Sequence, residues 1–499
     1  MEITDLSPAE RRVWEAFPLG QGVDFRTGAD DDPAAGSAWG ADRSVRAEML
    51  RALLFDGPQT NGEIAGLKLT GARITGQLDL RYGTVEHPVG LHSCHFEQCP
   101  KLYGAQTRSL VLNDSVLPGL RAATVRVDGV LRLTRCRLTG PVHLGGAQIS
   151  GAFFLDGALL GTSAAPGEPP SHGSGDSGEP LLRLNHAVIT TDVQATGLRA
   201  HGQIRLDGAG VGGQVNLDDA ELHAPGGTAL HAETLSVGTD LRAMRLRAYG
   251  RVNLRGARIS QQLNLAYARL SNPGGQALRA SNCVIGELWL REAARIVGTV
   301  NLRDTSIDLL HAAPGVWPDR VKIDGLSYRR LGPHLPAEQR LPLLEREEGG
   351  YLPFAYEQLT AAYRTAGDET AARTVQLTKL RRHRRTLPGY ARLWGRLQDA
   401  TVGYGFRPMR AAGWLLALLL IGALAFTRKR PHPLKPEEAP DFNPAFYTLD
   451  LLLPLVGFGQ EAAFTSQGWH QWLSYLLIAT GWILATTIAA GITRSLSRQ

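Results

Sequence analysis

His92, Cys94, His95 and Cys99 form a cluster whose residue types and spacing suit a metal ion. The pattern His-x-Cys-His-x3-Cys can supply four ligands of the kind zinc takes. On a strand, however, His92 and Cys94 face one way and His95 the other. A competing reading has the cysteines filling small inward positions and the histidines facing water. Cys136 and Cys283 sit in the same kind of neighbourhood and read as packing residues. No metal is assigned.

A second constellation lies between residues 442 and 461, around Asp450, Pro454, Gly457, Phe458, Gly459, Gln460 and Glu461. Phe446-Tyr447-Thr448-Leu449 followed by Val456-Gly457-Phe458-Gly459 loosely suggests a pore helix and a filter lined by backbone carbonyls. Leu453, Pro454 and Leu455 stand where such filters carry threonines, and Pro454 interrupts the helix. The alternative is an amphipathic anchor lying in a membrane interface. A third group is basic. From Lys379 to Arg410 nine lysines and arginines face one acid, Asp399. Arg381, Arg382, Arg384, Arg385, Arg407 and Arg410 read as membrane-proximal, set against anionic headgroups. Neither a GxGxxG between strand and helix nor a CxxC is present, so no catalytic residue and no cofactor is assigned.

These groups need elements to position them. From about residue 62 a unit of about eleven residues recurs, with an apolar pair spaced by two, a small residue, and one further apolar residue. LKLTGARITGQLDL and VNLRGARISQQLNL are examples. Runs this short cannot make an ordinary sheet, but they can make a solenoid with small residues at its corners. Two units, about 22 residues, make one coil, which predicts roughly ten coils. The 57 glycines and the low aromatic content of 7% suit that architecture. Residues 161–180 read as a polar loop that bulges from one corner. Four cysteines are too few for a disulfide scaffold in 499 residues.

Before the repeats, Ser7, Pro8 and Glu10 predict a capped helix over 7–17, and Asp42 a second helix over 42–55. After them, helices are predicted over 354–366 and 368–386. Two uncharged apolar segments follow at 411–427 and 469–492, which read as membrane spans. The expected fold is therefore mainly β: a right-handed β-helix with helical caps, then a C-terminal domain of two transmembrane helices. Residues 1–60 form the N-terminal cap and 61–312 the β-helix. Residues 335–405 form a helical juxtamembrane region. Residues 406–499 form a membrane domain, with spans at about 409–427 and 469–492 and a re-entrant or interfacial segment at 442–459. No secretory signal opens the chain, and the basic flanks place the large domain and both termini on the cytoplasmic side of the membrane.

The repeats resemble a β-helix of the pentapeptide-repeat kind in a looser form. The opening LSPAERRVWEAFPLG, the GARITGQLDL units, YEQLTAAYRTAGDETAARTVQLTKLRRHRR, VGYGFRP and FYTLDLLLPLVGFGQE carry a second resemblance. They are similar, over essentially the whole chain, to an actinobacterial, Streptomyces-type family named membrane-associated oxidoreductase. That resemblance implies a β-helix ahead of two transmembrane helices, and its name implies redox chemistry. The leading expectation is a membrane-anchored, homo-oligomeric β-helical scaffold that is not an enzyme. A two-helix tetrameric channel and the named oxidoreductase stand as alternatives. The expected partners are the bilayer and a protein on the β-helix face, where Arg199, Arg205, Arg242, Arg245, Arg247, Arg251, Arg255 and Arg258 could form a row. Nucleic acid is not expected.

Overall fold

The computed structural model describes residues 5–28, 31–162, 179–386, 408–435, 440–453 and 457–496, with side chains described except at 384–386, 408–412 and 486–496. The chain divides into two units, Met1–Asp368 and Glu369–Gln499.

The first unit is a parallel β-solenoid with helical caps. One coil shows how the sequence builds it. Leu131–Arg132, Arg137–Leu138, Val142–His143 and Gln148–Ile149 are four two-residue strands, one on each side of the coil. Leu131, Leu138, Val142 and Ile149 point inward and are at most 1% exposed. Their strand partners Arg132, Arg137, His143 and Gln148 point outward, because side chains alternate along a strand. Each strand pairs in parallel with its counterpart one coil away. Leu110 aligns with Leu131 and Leu131 with Phe153, steps of 21 and 22 residues. Burying one such leucine contributes about 2 kcal/mol, so many small contributions add up along the stack.

The corners turn through left-handed residues, and they are less restricted to small side chains than the sequence suggests. Gly146, Gly157 and Gly208 serve in some coils, but Tyr82, Arg135, Arg245 and Tyr267 also have positive φ, between 54° and 60°. The arginines there lean on the preceding coil. Arg135 makes a two-pronged ion pair with Asp114, and Arg245 does the same with Asp219.

Chain that exceeds the repeat leaves at a single corner. Glu221–His231 and Arg269–Arg279 are eleven-residue strands whose Pro-Gly-Gly turns stand out there with register shifts. The polar stretch comes between Leu159–Leu160 and Leu182–Arg183 in the chain, and these strands pair onward with Arg199–Ala200 and Ile204–Arg205, so the stack continues.

Both ends of the stack are covered. Gly22–Asp24 pairs with Lys68–Thr70, and Ser44–Arg46 with Arg73–Thr75. Helix α1 (Pro8–Ala16) and helix α2 (Ala47–Asp56) lie beyond them. The second helix thus begins five residues later than Asp42 suggests, since fully buried Val45 serves the sheet as the partner of Ile74. Past Ile307 a further coil follows. Arg320–Lys322 pairs with Thr299–Asn301, and Ser327–Gly332 with Ser306–Ala312. Helix α3 (Ala337–Leu344) and helix α4 (Pro353–Thr365) then close the far end with buried Leu341, Leu344, Tyr356 and Leu359. Such caps protect the open edge of a stacked sheet from pairing with other chains.

Glu10 fastens the first cap. Its carboxylate accepts from Ser7 N at 2.9 Å and from Arg46 N and Nε at 3.0 and 2.7 Å, while only 1% of the residue is exposed. Burial alone would raise its pKa, but the hydrogen bonds from Arg46 and the backbone outweigh burial and hold it below the ordinary value. Its contribution is therefore complete above the unfolded carboxyl pKa and is lost as pH falls through the lowered folded value. Glu10→Gln is expected to cost about 1–2 kcal/mol at pH 7. It should also flatten the acid limb of stability measured by urea unfolding between roughly pH 3 and 7.

The second unit contains helix α5 (Glu369–Thr386), helix α6 (Pro408–Arg428), helix α7 (Pro444–Leu452), the short helix α8 (Gln460–Ala463) and helix α9 (Trp469–Leu496). Phe426, Tyr447, Leu451, Leu452, Phe464 and Leu477 form its core. Gly422 packs against Thr448, and Gly481 against the backbone of Leu452, with no room for a Cβ at either contact. Ser466 and Ser474 share a buried hydrogen bond of 2.8 Å. Part of the apolar content at 411–427 and 469–492 thus serves contacts between helices, and Trp414, Leu416, Leu420, Ile421, Trp472 and Leu476 stay exposed.

Among the described residues no helix is long and apolar enough to cross a membrane. This corrects the expected domain of two transmembrane helices. The expected cytoplasmic-membrane location, the bilayer as partner and the membrane-anchored and channel readings lose their basis with it. The homo-oligomer expectation likewise has no support.

Candidate functional site

The four metal candidates are not brought together. Val89–His92 lies in one ladder and His95–Phe96 in the next. Cys94 is fully buried, and its thiol donates to His92 O at 3.2 Å. Burial pushes that thiol up to about 12. His95 Nδ1 lies 3.0 Å from Pro33 O of the N-terminal cap. Half-buried Cys99 is also pushed up by burial, and burial pushes His92 down. No group of three or more His, Cys, Asp or Glu side chains among the described residues could hold a metal ion.

Cys136 and Cys283 share one structural use with Ser115. The Cys136 thiol donates to Leu112 O at 2.7 Å, Cys283 to Leu254 O at 2.9 Å, and Ser115 to Leu91 O at 3.0 Å. Each small inward residue satisfies a carbonyl of the preceding coil. Burial pushes Cys136 to about 12 and Cys283 to about 11, so neither offers a thiolate at neutral pH.

The segment at 450–461 is organised around a carboxylate. Asp450 accepts from Phe458 N at 2.5 Å, Gln460 N at 2.7 Å and Glu461 N at 3.0 Å. Gly459 turns with φ 79°, and the Gln460 side chain bridges Asn443 N and Asp441 O. The backbone around Gly457, Phe458 and Gly459 thus wraps an internal acid. Pro454 lies outside the described residues. Of the basic candidates, Arg381 and Arg382 lie on α5. Arg384, Arg385 and Arg410 are described in backbone alone, and Arg407 lies outside the described residues.

The expected arginine row does not form either, because those residues point from different sides of the coil. Arg242 pairs with Asp218 on one side, at 2.7 Å, and Arg245 with Asp219 at the adjoining corner, at 2.5 Å. Arg247 and Arg255 lie within 4.0 Å of Glu221 and Glu233 on others.

Strand register assembles a different basic row that linear spacing hides. Lys101 aligns with Arg121, Arg121 with His143, His143 with Arg183, and Arg183 with Arg205. The ladder continues through His231, Asn253, Arg279 and Asn301 to Lys322, and on the other side of Lys101 it opens with Asp79, whose carboxylate is held by Arg81. Rungs are about 4.8 Å apart. In its later half flanking carboxylates answer the charge: Asp207 beside Arg205 and His231, Glu233 beside Arg279, Glu348 beside Lys322. In its first half no carboxylate among the described residues pairs with Lys101, Arg121 or Arg183. His143 alone meets one, with Nε2 3.1 Å from Glu179 Oε1. Burial, then the neighbouring Arg183 charge, holds the imidazole below its ordinary pKa.

The sequence signal for this row was the step of 22 from Arg121 to His143 and again from Arg183 to Arg205. The intervening step of 40 contains the polar stretch 161–180 as additional chain.

A shallow groove of about 620 Å3 crosses another side near the far end, lined by Arg258, Ser260, Val284, Asp308, Tyr328 and Arg329. Arg329 Nε lies 2.6 Å from Asp308 Oδ1, which closes its charge internally.

No family model, curated protein or solved structure matches the chain. The resemblance to actinobacterial membrane-associated oxidoreductases is therefore unsupported, and so is the redox activity implied by its name. The fold itself is a β-solenoid scaffold with helical caps.

Proposed function

We propose that the first unit works as a non-catalytic β-helical scaffold whose lateral side chains, held at fixed rungs, carry its function. The supporting observation is the division of labour within each coil. Inward residues are mostly apolar, while many outward residues are charged and some pair between coils, as in Asp114–Arg135 and Asp219–Arg245. A rigid comb of charges recognises other molecules by position. The three most buried thiols are raised by burial to about 11 or 12 and are unsuited to nucleophilic chemistry.

The test compares outward and inward substitutions in a strain lacking the gene. The double variant Arg121→Glu/Arg183→Glu should fold with an unchanged circular dichroism spectrum yet fail to restore the wild-type phenotype. Purified protein should show no turnover across hydrolase and oxidoreductase substrate panels. Turnover that a single substitution abolishes, or full rescue by the double charge reversal, would overturn the reading.

A further inference from the structure

Buried polar atoms without partners are scarce in folded proteins, and each asks for an explanation. Arg183 Nε is shielded from solvent and has no hydrogen-bond partner, and the rungs beside it are answered only by flanking carboxylates, His143 Nε2 lying 3.1 Å from Glu179 and Arg205 Nε 3.4 Å from Asp207. Glu179 approaches His143 to 3.1 Å, and its side chain is 60% exposed. A carboxylate of the chain itself therefore marks the place where negative charge settles, and holds it loosely.

We propose that the Arg121–His143–Arg183 rungs form a binding site for a phosphoanion, with Lys101 extending it toward a diphosphate. The geometry supports this class. Arg121 and Arg183 stand two rungs apart, about 10 Å, on either side of His143. Two long guanidinium side chains from those positions can converge on one group seated over the central imidazole. Guanidinium forks match the oxygens of a phosphate and bind it by paired, charge-assisted hydrogen bonds. At the Arg121 and His143 rungs the flanking positions are short, Ala123 and Gly145 on one side and Gly119 and Pro141 on the other. A single carboxylate such as Glu179 cannot satisfy three cationic rungs at once, whereas a diphosphate spans them. The Tyr82–Tyr103 ring pair adjoins the Lys101 end alone, and no aromatic residue lies within two positions of Arg121, His143 or Arg183 in the chain, so the site suits a compact anion better than a nucleic-acid strand.

The site goes beyond the scaffold reading without depending on it, since a catalytic solenoid could carry it equally. Isothermal titration of the full chain with inorganic phosphate and with pyrophosphate provides the test. Saturable binding is expected, tighter for pyrophosphate, and weakening as salt rises. Arg121→Ala and Arg183→Ala should each lower pyrophosphate affinity by about tenfold, while Arg121→Lys should recover only part of it. Glu179→Gln should raise affinity several-fold by removing the internal competitor. Arg329→Ala, on another side of the coil near the far end, should leave it unchanged. Unaltered thermal unfolding of the variants separates lost binding from lost folding. Absence of saturable binding, equal affinity in Arg183→Ala, or binding of an acidic peptide without binding of either phosphate would overturn the proposal.

Discussion

Asp450→Ala should collapse the order of the segment from Pro444 to Thr465 and cost the second unit about 3 kcal/mol or more. The carboxylate accepts three backbone N–H groups, from Phe458, Gln460 and Glu461, and alanine removes all three acceptors together. An orphaned buried donor costs about 1–3 kcal/mol, and water can reach only part of this site because Gln460 is 7% exposed. Asp450→Asn should do less harm, since its amide oxygen still accepts, although its amide NH2 faces donors. Hydrogen exchange on the full chain would read the effect directly, with faster exchange at Phe458, Gln460 and Glu461 in the alanine variant. Wild-type protection at those amides would show that another group holds the turn.

That same segment shows where the sequence was legible and where it was not. Leu131 and Leu133, then Leu138, then Val142 and Leu144 announce the coil, because an alternating apolar pair can be buried only on one side of a short strand. The period follows from stacking each such pair on its equivalent. The capping box at Ser7 and Glu10 was equally plain, being a local arrangement of neighbours. Asp450 is different. Its partners lie eight to eleven residues ahead across a turn, and an acid inside an apolar run gives no sign of whether it faces a pore, an interface or its own backbone. Apolar runs such as 411–427 are similarly ambiguous, since hydropathy alone does not distinguish lipid from a neighbouring helix. The His143 ladder was hidden for a further reason. Charges that stack one coil apart are related by register, and register becomes readable only once each insertion has been subtracted from the repeat.

Register also makes Gly238 the position where the smallest change should have the largest effect in the solenoid. A Cβ there would collide with the carbonyl oxygen of Gly212 on the preceding coil, and a Cβ at Gly212 would collide with that of Thr190. The obstacle is backbone, so no side chain can swing away to admit the methyl group. The carbonyls one residue earlier accept the bonds that carry the ladder onward, Gly212 N donating to Ile189 O and Gly238 N to Val211 O, both at 2.9 Å. Admitting a methyl group would separate two coils whose spacing is set one residue earlier by the Val211–Val237–Ile259 ladder. Gly238→Ala is therefore expected to destabilise the first unit by about 2–4 kcal/mol, in the range of an overpacked core. Gly226 supplies the control. It sits in a protruding Pro-Gly-Gly turn with φ 77° and nothing within 4 Å of an added Cβ. Gly226→Ala should cost only the left-handed backbone penalty, about 1–2 kcal/mol. Thermal unfolding of the two variants should rank them in that order. The reverse order would mean that the coils can part locally at little cost, and a comb of charges at fixed spacing could then no longer account for recognition along this face.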